Sequence, residues 1–549
     1  MPTATELKFT SRRSPVYGLG GMVATSQPLA VAAGLEILSQ GGNAADAAIA
    51  TAAALNVTEP TSTGLGGDCF ALYYEASSGQ ITALNGSGRA PASLTIERLR
   101  KEGLSDNLPP LHPYTITVPG ACAGWCDLLA HHGRLSLTKV LAPAIRMAEQ
   151  GFPVAPITAY FWERSTERLR NSPGGTELTI EGRTPRAGET FCNPGLARTL
   201  RRISEGGKTA FYQGEIAEAI ASVVLQAGGC LTVEDLSAHT STWEQPISTT
   251  YRNLRVWECP PNGQGLAALL ALNLLEGFDI ASSPPLSAQR LHLMIEAMRL
   301  AFADTRWYVA DPAFSPPPLE WLLSKGYADE RRKLIHPHHV TLDRLRGTPT
   351  SSSDTVYLSA VDAEGNACSF INSNYMGFGT CIVPSGWGFT LQNRGMGFSL
   401  DPSHPNSLAP GKRPYHTIIP GMITVDSSDP SRLRNTLYAS FGVMGGFMQP
   451  QGHMQVVLGL ADDGLDPQAA LDRPRFCIDD GTAGGQVALE EGISPEVQSE
   501  LGKMGHVLYS VSGYARSTFG RGQIIRRDAS TGILCGGSDP RADGCAMSL

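Results

Sequence analysis

The bond between Asp354 and Thr355 lies where a loose polar run meets an apolar strand, in SSSDTVYLSAVDAEGNACSF (351–370). A threonine hydroxyl is a weak nucleophile and needs an adjacent base. One solution makes the residue N-terminal, so that its own α-amine accepts the proton. Such an amine titrates near pH 8, close enough to neutrality to act as a base. Chemistry of this kind requires the chain to cut itself before Thr355. The hydroxyl attacks the preceding carbonyl, an ester forms by N→O acyl shift, and water releases the new amine. A flexible run ending at a fixed strand concentrates strain at one bond, which suits that attack. Taken alone, the junction reads first as an ordinary strand start, because many strands begin with threonine.

Other groups with chemical potential carry less. His336, His338 and His339 in HPHH (336–339) lack the H-x-x-x-H spacing of one helical face and have no Cys or carboxylate pair beside them. They read as a solvated loop, and no metal is expected. EGGKTAF (205–211) ends like a phosphate loop, but the first glycine of that pattern would fall on Arg202. TGLGGDCF (63–70) is glycine-rich yet precedes a strand, the reverse of a dinucleotide fingerprint. G-x-S-x-G does not occur, so a hydrolase nucleophile elbow is missing.

The elements that must position Thr355 follow from hydrophobic period. Helical spacing covers 27–40, 137–150, 196–205, 215–227 and 286–304, and an Ala-rich stretch at 43–55 reads as a buried, closely packed helix. Strands are expected at 69–74 and 81–84, paired across SSGQ. Past Thr355 the pattern turns mostly to strands, at 355–361, 367–371, 388–391, 417–423 and 437–441, with helices at 451–462 and 495–504. Residues 315–353 lose regularity around PPP (316–318) and a short helix, and read as an exposed connection. Strand runs flanked by helices on both sides predict an αββα sandwich of α+β class.

Composition bounds the setting. The chain of 549 residues carries a formal net charge of −8, which disfavours nucleic acid and anionic membranes as partners. Eleven cysteines, an odd number without CxxC, point to a reducing compartment rather than a disulfide framework. The N-terminus lacks the apolar core of a signal peptide, and no 18-residue apolar stretch follows. A cytoplasmic protein is expected.

The blocks LSQGGNAADAAIATAAALNVTEPTSTGLGGDCF (38–70), TVPGACAGW (117–125), FYQGEIA (211–217), LTVEDL (231–236) and PPNGQG (260–265) run in a fixed order. HLMIEAMRLAFADTRWYVADP (292–312), KRPYHTIIPGM (412–422), RPRF (473–476) and GGSDPRADG (536–544) continue it. Together they make the chain resemble the γ-glutamyltranspeptidase family of N-terminal-nucleophile hydrolases along nearly its whole length. The resemblance implies the αββα fold and a proenzyme cut after Asp354. The products would be a large subunit of 1–354 and a small subunit of 355–549, joined as a heterodimer, with a higher homo-oligomer left open. It puts the nucleophile on Thr355 and an oxyanion hole on Gly445 and Gly446, and aligns Ser373 with a threonine that supports the nucleophile. Two backbone N–H donors stabilise charge only as it develops on the tetrahedral oxygen. No cofactor or metal is implied; the substrate is a small-molecule amide.

The departures from the family all bear on charge. Its transpeptidases read a carboxylate with an Arg and two hydroxyl residues, and an ammonium with an Asn, a Gln and an Asp. Here the Arg position is Ser87, with Arg89 two residues on, and the hydroxyl pair is His416 and Thr417. The Asn position is Tyr375, beside Asn374; the Gln position is Arg394, and the Asp position is Gly397. A buried guanidinium opposes an ammonium but pairs well with a carboxylate. The expected substrate therefore has an anionic acyl end and no free α-amine, as in oxamate or another dicarboxylic monoamide, and the chain looks closer to the family's acylases and oxamate amidohydrolases. Arg89, Arg394, Asn374, Tyr375, His416 and Thr417 are the expected substrate contacts. Three alternatives stand beside this: Arg89 and Arg394 pair with local carboxylates, the enzyme acts on glutathione as a γ-glutamyl hydrolase or transpeptidase, or the chain is an uncut homologue with a binding role.

Overall fold

The computed structural model describes residues 13–105, 107–340, 355–426 and 435–549. Asp354 and the rest of the run before Thr355 lie outside these residues.

Two antiparallel sheets of seven strands stack face to face. One runs in the order Cys545–Ser548, Gly21–Thr25, Val356–Asp362, Ala367–Ser373, Asp68–Glu75, Gln80–Gly86, Thr242–Glu244. The other runs Val16–Gly18, Leu534–Ser538, Arg521–Arg527, Asn435–Met444, Gly421–Asp426, Leu254–Glu258, Ile247–Tyr251. Between them the Tyr357 ring fills the space over Gly442, where a Cβ would come within 2.5 Å of the ring. Ser359 and Ser440 hydrogen-bond across the same gap at 2.7 Å.

Helices cover both outer faces, which gives the expected αββα order. Ala44–Thr58 lies on the strands Val356–Asp362 and Ala367–Ser373. All fifteen of its residues are buried, and its Ala-rich sequence is what allows the close approach. Asn43 and Asp46 form a capping box at its start, satisfying N–H groups that would otherwise be buried unpaired. Gly265–Glu276 and Met448–Ala461 pack on the other sheet, with Ala288–Tyr308 outside the first of them. With both faces of the central strands covered, Val356–Asp362 and Ala367–Ser373 are buried at every position.

The expected elements hold with four corrections, the first being that the connection expected at 315–353 carries two helices, Leu319–Leu322 and Lys325–Arg332, with Leu322, Ala328 and Ile335 buried, while its residues 341–353 lie outside the described ones. Residues 388–391 are not a strand: Gly388 sits at φ +68, and the segment is fixed by loop bonds such as Leu391 N–H to the Ile382 carbonyl. The strand expected at 417–423 begins only at Gly421, because Pro420 cannot donate to a ladder and the Thr417 carbonyl is taken elsewhere. The helix expected to end at Glu205 continues to Tyr212 through a break at Gly207 (φ 61). His336 stacks on His339 at 3.6 Å, and its ring nitrogen accepts the His338 N–H. No helix among the described residues is long and apolar enough to cross a membrane.

Candidate active site

Strand register builds the centre of the site. Val356 pairs with Asn372, and Ser373 pairs with Asp68 on the next strand. Thr355, Ser373 and Asp68 therefore form a row across three adjacent strands. Thr355 Oγ1 and Ser373 Oγ are 3.0 Å apart, and both residues are fully buried.

Ser373 Oγ also accepts the Tyr375 N–H at 2.9 Å and an Arg394 Nη2–H at 3.4 Å. Tyr375 holds φ +77, a left-handed conformation that a bulky residue keeps only where its surroundings impose it. That turn lays its ring under the Arg394 guanidinium, 4.1 Å from the ring centroid. Arg394 Nη1 donates to Thr417 Oγ1 at 2.8 Å. Arg394 is fully buried, its Nε has no acceptor, and no carboxylate among the described residues pairs with it. Burial pulls its pKa down to about 10, against the opposing influence of Tyr375 and Asp68. The site thus holds a desolvated cation against two hydroxyls and a π face, and a guanidinium is able to pair with a carboxylate in bidentate fashion.

His416 and Asp68 form the wall behind it. His416 Nε2–H donates to Asp68 Oδ2 at 3.0 Å. Asp68 Oδ1 accepts the N–H groups of Gly88 and Gly120 and the Gln392 amide, at 2.9, 3.1 and 2.9 Å. Both carboxylate oxygens are engaged. Burial, reinforced by the nearby Arg394 charge, lowers the His416 pKa to about 3, so His416 is neutral.

Gly445 and Gly446 join the end of Asn435–Met444 to the start of Met448–Ala461. Their φ values of 134 and 58 are ones side chains rarely adopt, and a Cβ on Gly445 would come within 3.2 Å of Gly520 Cα. The Gly445 carbonyl accepts the Met448 N–H at 3.0 Å. In a planar trans peptide the Gly446 N–H points the opposite way, out from the helix. Among the described residues no carbonyl takes the N–H of either glycine. Gln264 ties this turn to the cation: its Nε2 donates to the Gly446 carbonyl at 2.8 Å and the Thr417 carbonyl at 2.7 Å. A connected path thus runs Thr355, Ser373, Arg394, Thr417, Gln264, Gly446.

Of the expected site residues, the linked bonds join Thr355, Ser373, Arg394, Thr417 and Gly446, with Tyr375 stacked on Arg394 and His416 and Gly445 adjacent in the chain to members of that path. Asn374 is turned away: its Nδ2 donates to Thr390 Oγ1 at 3.0 Å, and it packs under Gly64 and Gly67. Arg89 donates to the Thr240 carbonyl at 3.2 Å instead of joining the row; the guanidinium reaching the Ser87 carbonyl is that of Arg413. Asp68, Gln392 and Gln264 were missed. Asp68 was visible as an acid opening an otherwise apolar strand, and Gln264 lay inside PPNGQG; Gln392 carried no signal of its own.

The Gamma-glutamyltranspeptidase family model matches residues 30–549. The chain is 36% identical to the glutathione hydrolase-like YwrD proenzyme of Bacillus subtilis, over 97% of this chain and 99% of that one. It is 32% identical to the oxamate amidohydrolase proenzyme of Klebsiella pneumoniae, over 96% and 98%. The crystal structure of a cephalosporin acylase from Bacillus halodurans superposes with a TM-score of 0.91 at 46% identity, covering 100% of this chain and 99% of that one. With the αββα sandwich already built from its own residues, the chain belongs to the γ-glutamyltranspeptidase family and is an N-terminal-nucleophile amidohydrolase or acylase.

Proposed function

We propose that this protein cuts itself between Asp354 and Thr355 and then hydrolyses a small amide whose acyl group ends in a carboxylate and carries no free α-amine. The buried, carboxylate-free guanidinium of Arg394 carries this reading. It shares the Ser373 hydroxyl with Thr355, so guanidinium and nucleophile are no further apart than two hydrogen bonds of 3.4 and 3.0 Å.

The steps follow from the row. The Thr355 amine takes the hydroxyl proton, and Oγ1 attacks the amide carbonyl. Ser373, which accepts from Tyr375 N–H and Arg394, shares a hydrogen bond of 3.0 Å with Thr355 Oγ1 and holds it in place. The oxyanion faces the N–H groups of Gly445 and Gly446, whose donors strengthen as charge develops. The tetrahedral intermediate collapses to an ester on Thr355 and expels the amine, which leaves with the transferred proton. Water activated by the same α-amine then releases the acid. Arg394 and Thr417 grip the substrate carboxylate.

Hydrolysis of glutathione fits this wall less well. An α-ammonium needs an acid, and the one beside Arg394 is Asp68, whose two oxygens already accept from Gly88, Gly120, Gln392 and His416. Residues 1–354 and 355–549 would remain together as a heterodimer, because both segments contribute strands to both sheets. Eleven unpaired cysteines support a cytoplasmic setting.

Two measurements test the reading. T355A should give one full-length band on a denaturing gel and no turnover; two fragments from T355A would remove Thr355 from the mechanism. Oxamate, a glutaryl amide and γ-glutamyl-p-nitroanilide should be compared side by side on the cut enzyme. Higher kcat/KM on the γ-glutamyl substrate than on both others would overturn the substrate class.

A further inference from the structure

Gln264 occupies an unusual place in the molecule. It precedes the helix Gly265–Glu276 and is completely buried. Both amide hydrogens and the amide oxygen of its side chain are engaged. One Nε2 hydrogen goes to the Thr417 carbonyl, the other to the Gly446 carbonyl, and Oε1 accepts the Tyr415 hydroxyl at 3.1 Å. Its backbone N–H donates to the His416 carbonyl at 2.9 Å, and the His416 N–H returns to the Asn262 carbonyl at 2.9 Å. The 260–264 turn is thus locked onto residues 415–417 by backbone and side chain together.

The two carbonyls gripped by Nε2 belong to the two ends of the proposed reaction. Thr417 presents its hydroxyl to Arg394, where the substrate carboxylate would sit. The Gly446 carbonyl belongs to the peptide plane that follows the glycine pair; it takes a long bond of 3.3 Å from the Gln449 N–H and the shorter one from Gln264, and a glycine at φ 58 has no side chain to add a further restraint. One planar amide therefore bridges the glycine turn and the Thr417 segment with bonds of 2.8 and 2.7 Å. Complete burial means that no water replaces it when it is lost.

We propose that Gln264 is a positioning residue for the hydrolysis: it holds the Gly445–Gly446 turn and the Arg394–Thr417 grip in a fixed mutual geometry, across the junction between residues 1–354 and 355–549. It touches neither the substrate nor the reacting atoms. The inference rests on the preceding assignment of those two groups.

Removing both donors while keeping the volume should misplace both ends at once. Gln264→Met and Gln264→Glu are made in the full chain, and each cut enzyme is assayed on the carboxylate-ended amide that wild type turns over best. Rates are normalised to active sites counted from the acyl-enzyme burst. The expected result is a fall in kcat of at least tenfold per titrated site, with KM raised at least threefold. A purely structural role would lower the number of active sites and leave both constants per site unchanged. Either variant retaining kcat and KM within twofold of wild type per site overturns the proposal; should one variant fail to fold, the other decides. Wild-type enzyme inactive on every carboxylate-ended amide would instead overturn the assignment of the site, which is a separate outcome.

Discussion

Two groups of buried arginines divide the labour of this molecule. In the region around Glu490 and Asp539 every guanidinium meets a carboxylate. Arg541 contacts Glu490 at 2.5 Å and Asp539 at 2.9 Å; Arg475 contacts Asp539 at 2.9 Å, and Arg516 contacts Glu490 at 2.6 Å. Burial alone would lower the Arg541 pKa, but Asp539 and Glu490 more than reverse this and raise it. Arg394 is equally buried, yet meets hydroxyls and a ring, and its pKa falls to about 10. The first group is complete in itself and locks loops together. The second has no such internal partner among the described residues, and under the proposed function an anion from outside would complete it.

That contrast can be broken by exchanging each arginine for an apolar residue of similar length. Arg541→Met should have the largest effect, because it takes one guanidinium from each of two buried carboxylates and leaves Asp539 with Arg475 and Glu490 with Arg516 alone. Unfolding by urea should show a loss of about 3–5 kcal/mol, with kcat/KM of the remaining folded enzyme close to wild type. Arg394→Met should do the opposite. The kcat/KM on carboxylate-ended amides should fall by about 10²–10³, the cost of leaving a carboxylate unpaired in a desolvated site, while stability stays level or rises. A destabilised Arg394→Met enzyme with unchanged kcat/KM would erase the distinction.

Acid should sharpen it with a smaller effect. Burial holds His416, His239 and His506 at pKa values of about 3. The unfolded chain takes up these protons near pH 6.5, and the folded chain does not until about pH 3. Stability is therefore full above about pH 6.5 and is lost as pH falls, by up to about 1.4 kcal/mol per pH unit for each such histidine. Asp539 behaves differently: burial raises its pKa, but Arg475 and Arg541 outweigh this and lower it overall. Its contribution is present above the ordinary carboxylate range and is lost only below it. Thermal midpoints measured from pH 7 to 5 should fall, and His416→Gln should flatten that slope. A slope unchanged in the variant would mean that His416 is already charged in the folded enzyme.

The site was partly legible in advance because its centre is a register effect. Once Thr355 opens one strand and Ser373 closes the next, an antiparallel hairpin brings them together at 3.0 Å. Arg394 was legible as a charge that should not be there, but its partners were not. Asn374 and Arg89 lie outside the row for the same reason: proximity in sequence to a neighbouring residue says little about direction. Asn374 follows Ser373 on an alternating backbone and therefore faces the other way. The expected strand at 388–391 failed because a short apolar run fixes burial, not conformation, and Gly388 takes a left-handed turn there.

The order of apolar and polar residues, by itself, determined the layers, the strands that follow Thr355, the pairing of 69–74 with 81–84 and the buried Ala-rich helix at 43–55. Each of these is decided by neighbours close in sequence or by a face that must be buried. Tertiary structure alone decided what Arg394 and Asp68 meet. Asp68 is satisfied by Gln392 and His416, more than three hundred residues away, and Gln264 reaches two loops that only folding brings side by side. A hydrogen bond needs its partner within about 3 Å and correctly aimed, and a residue's type does not carry that information until the chain has closed around it.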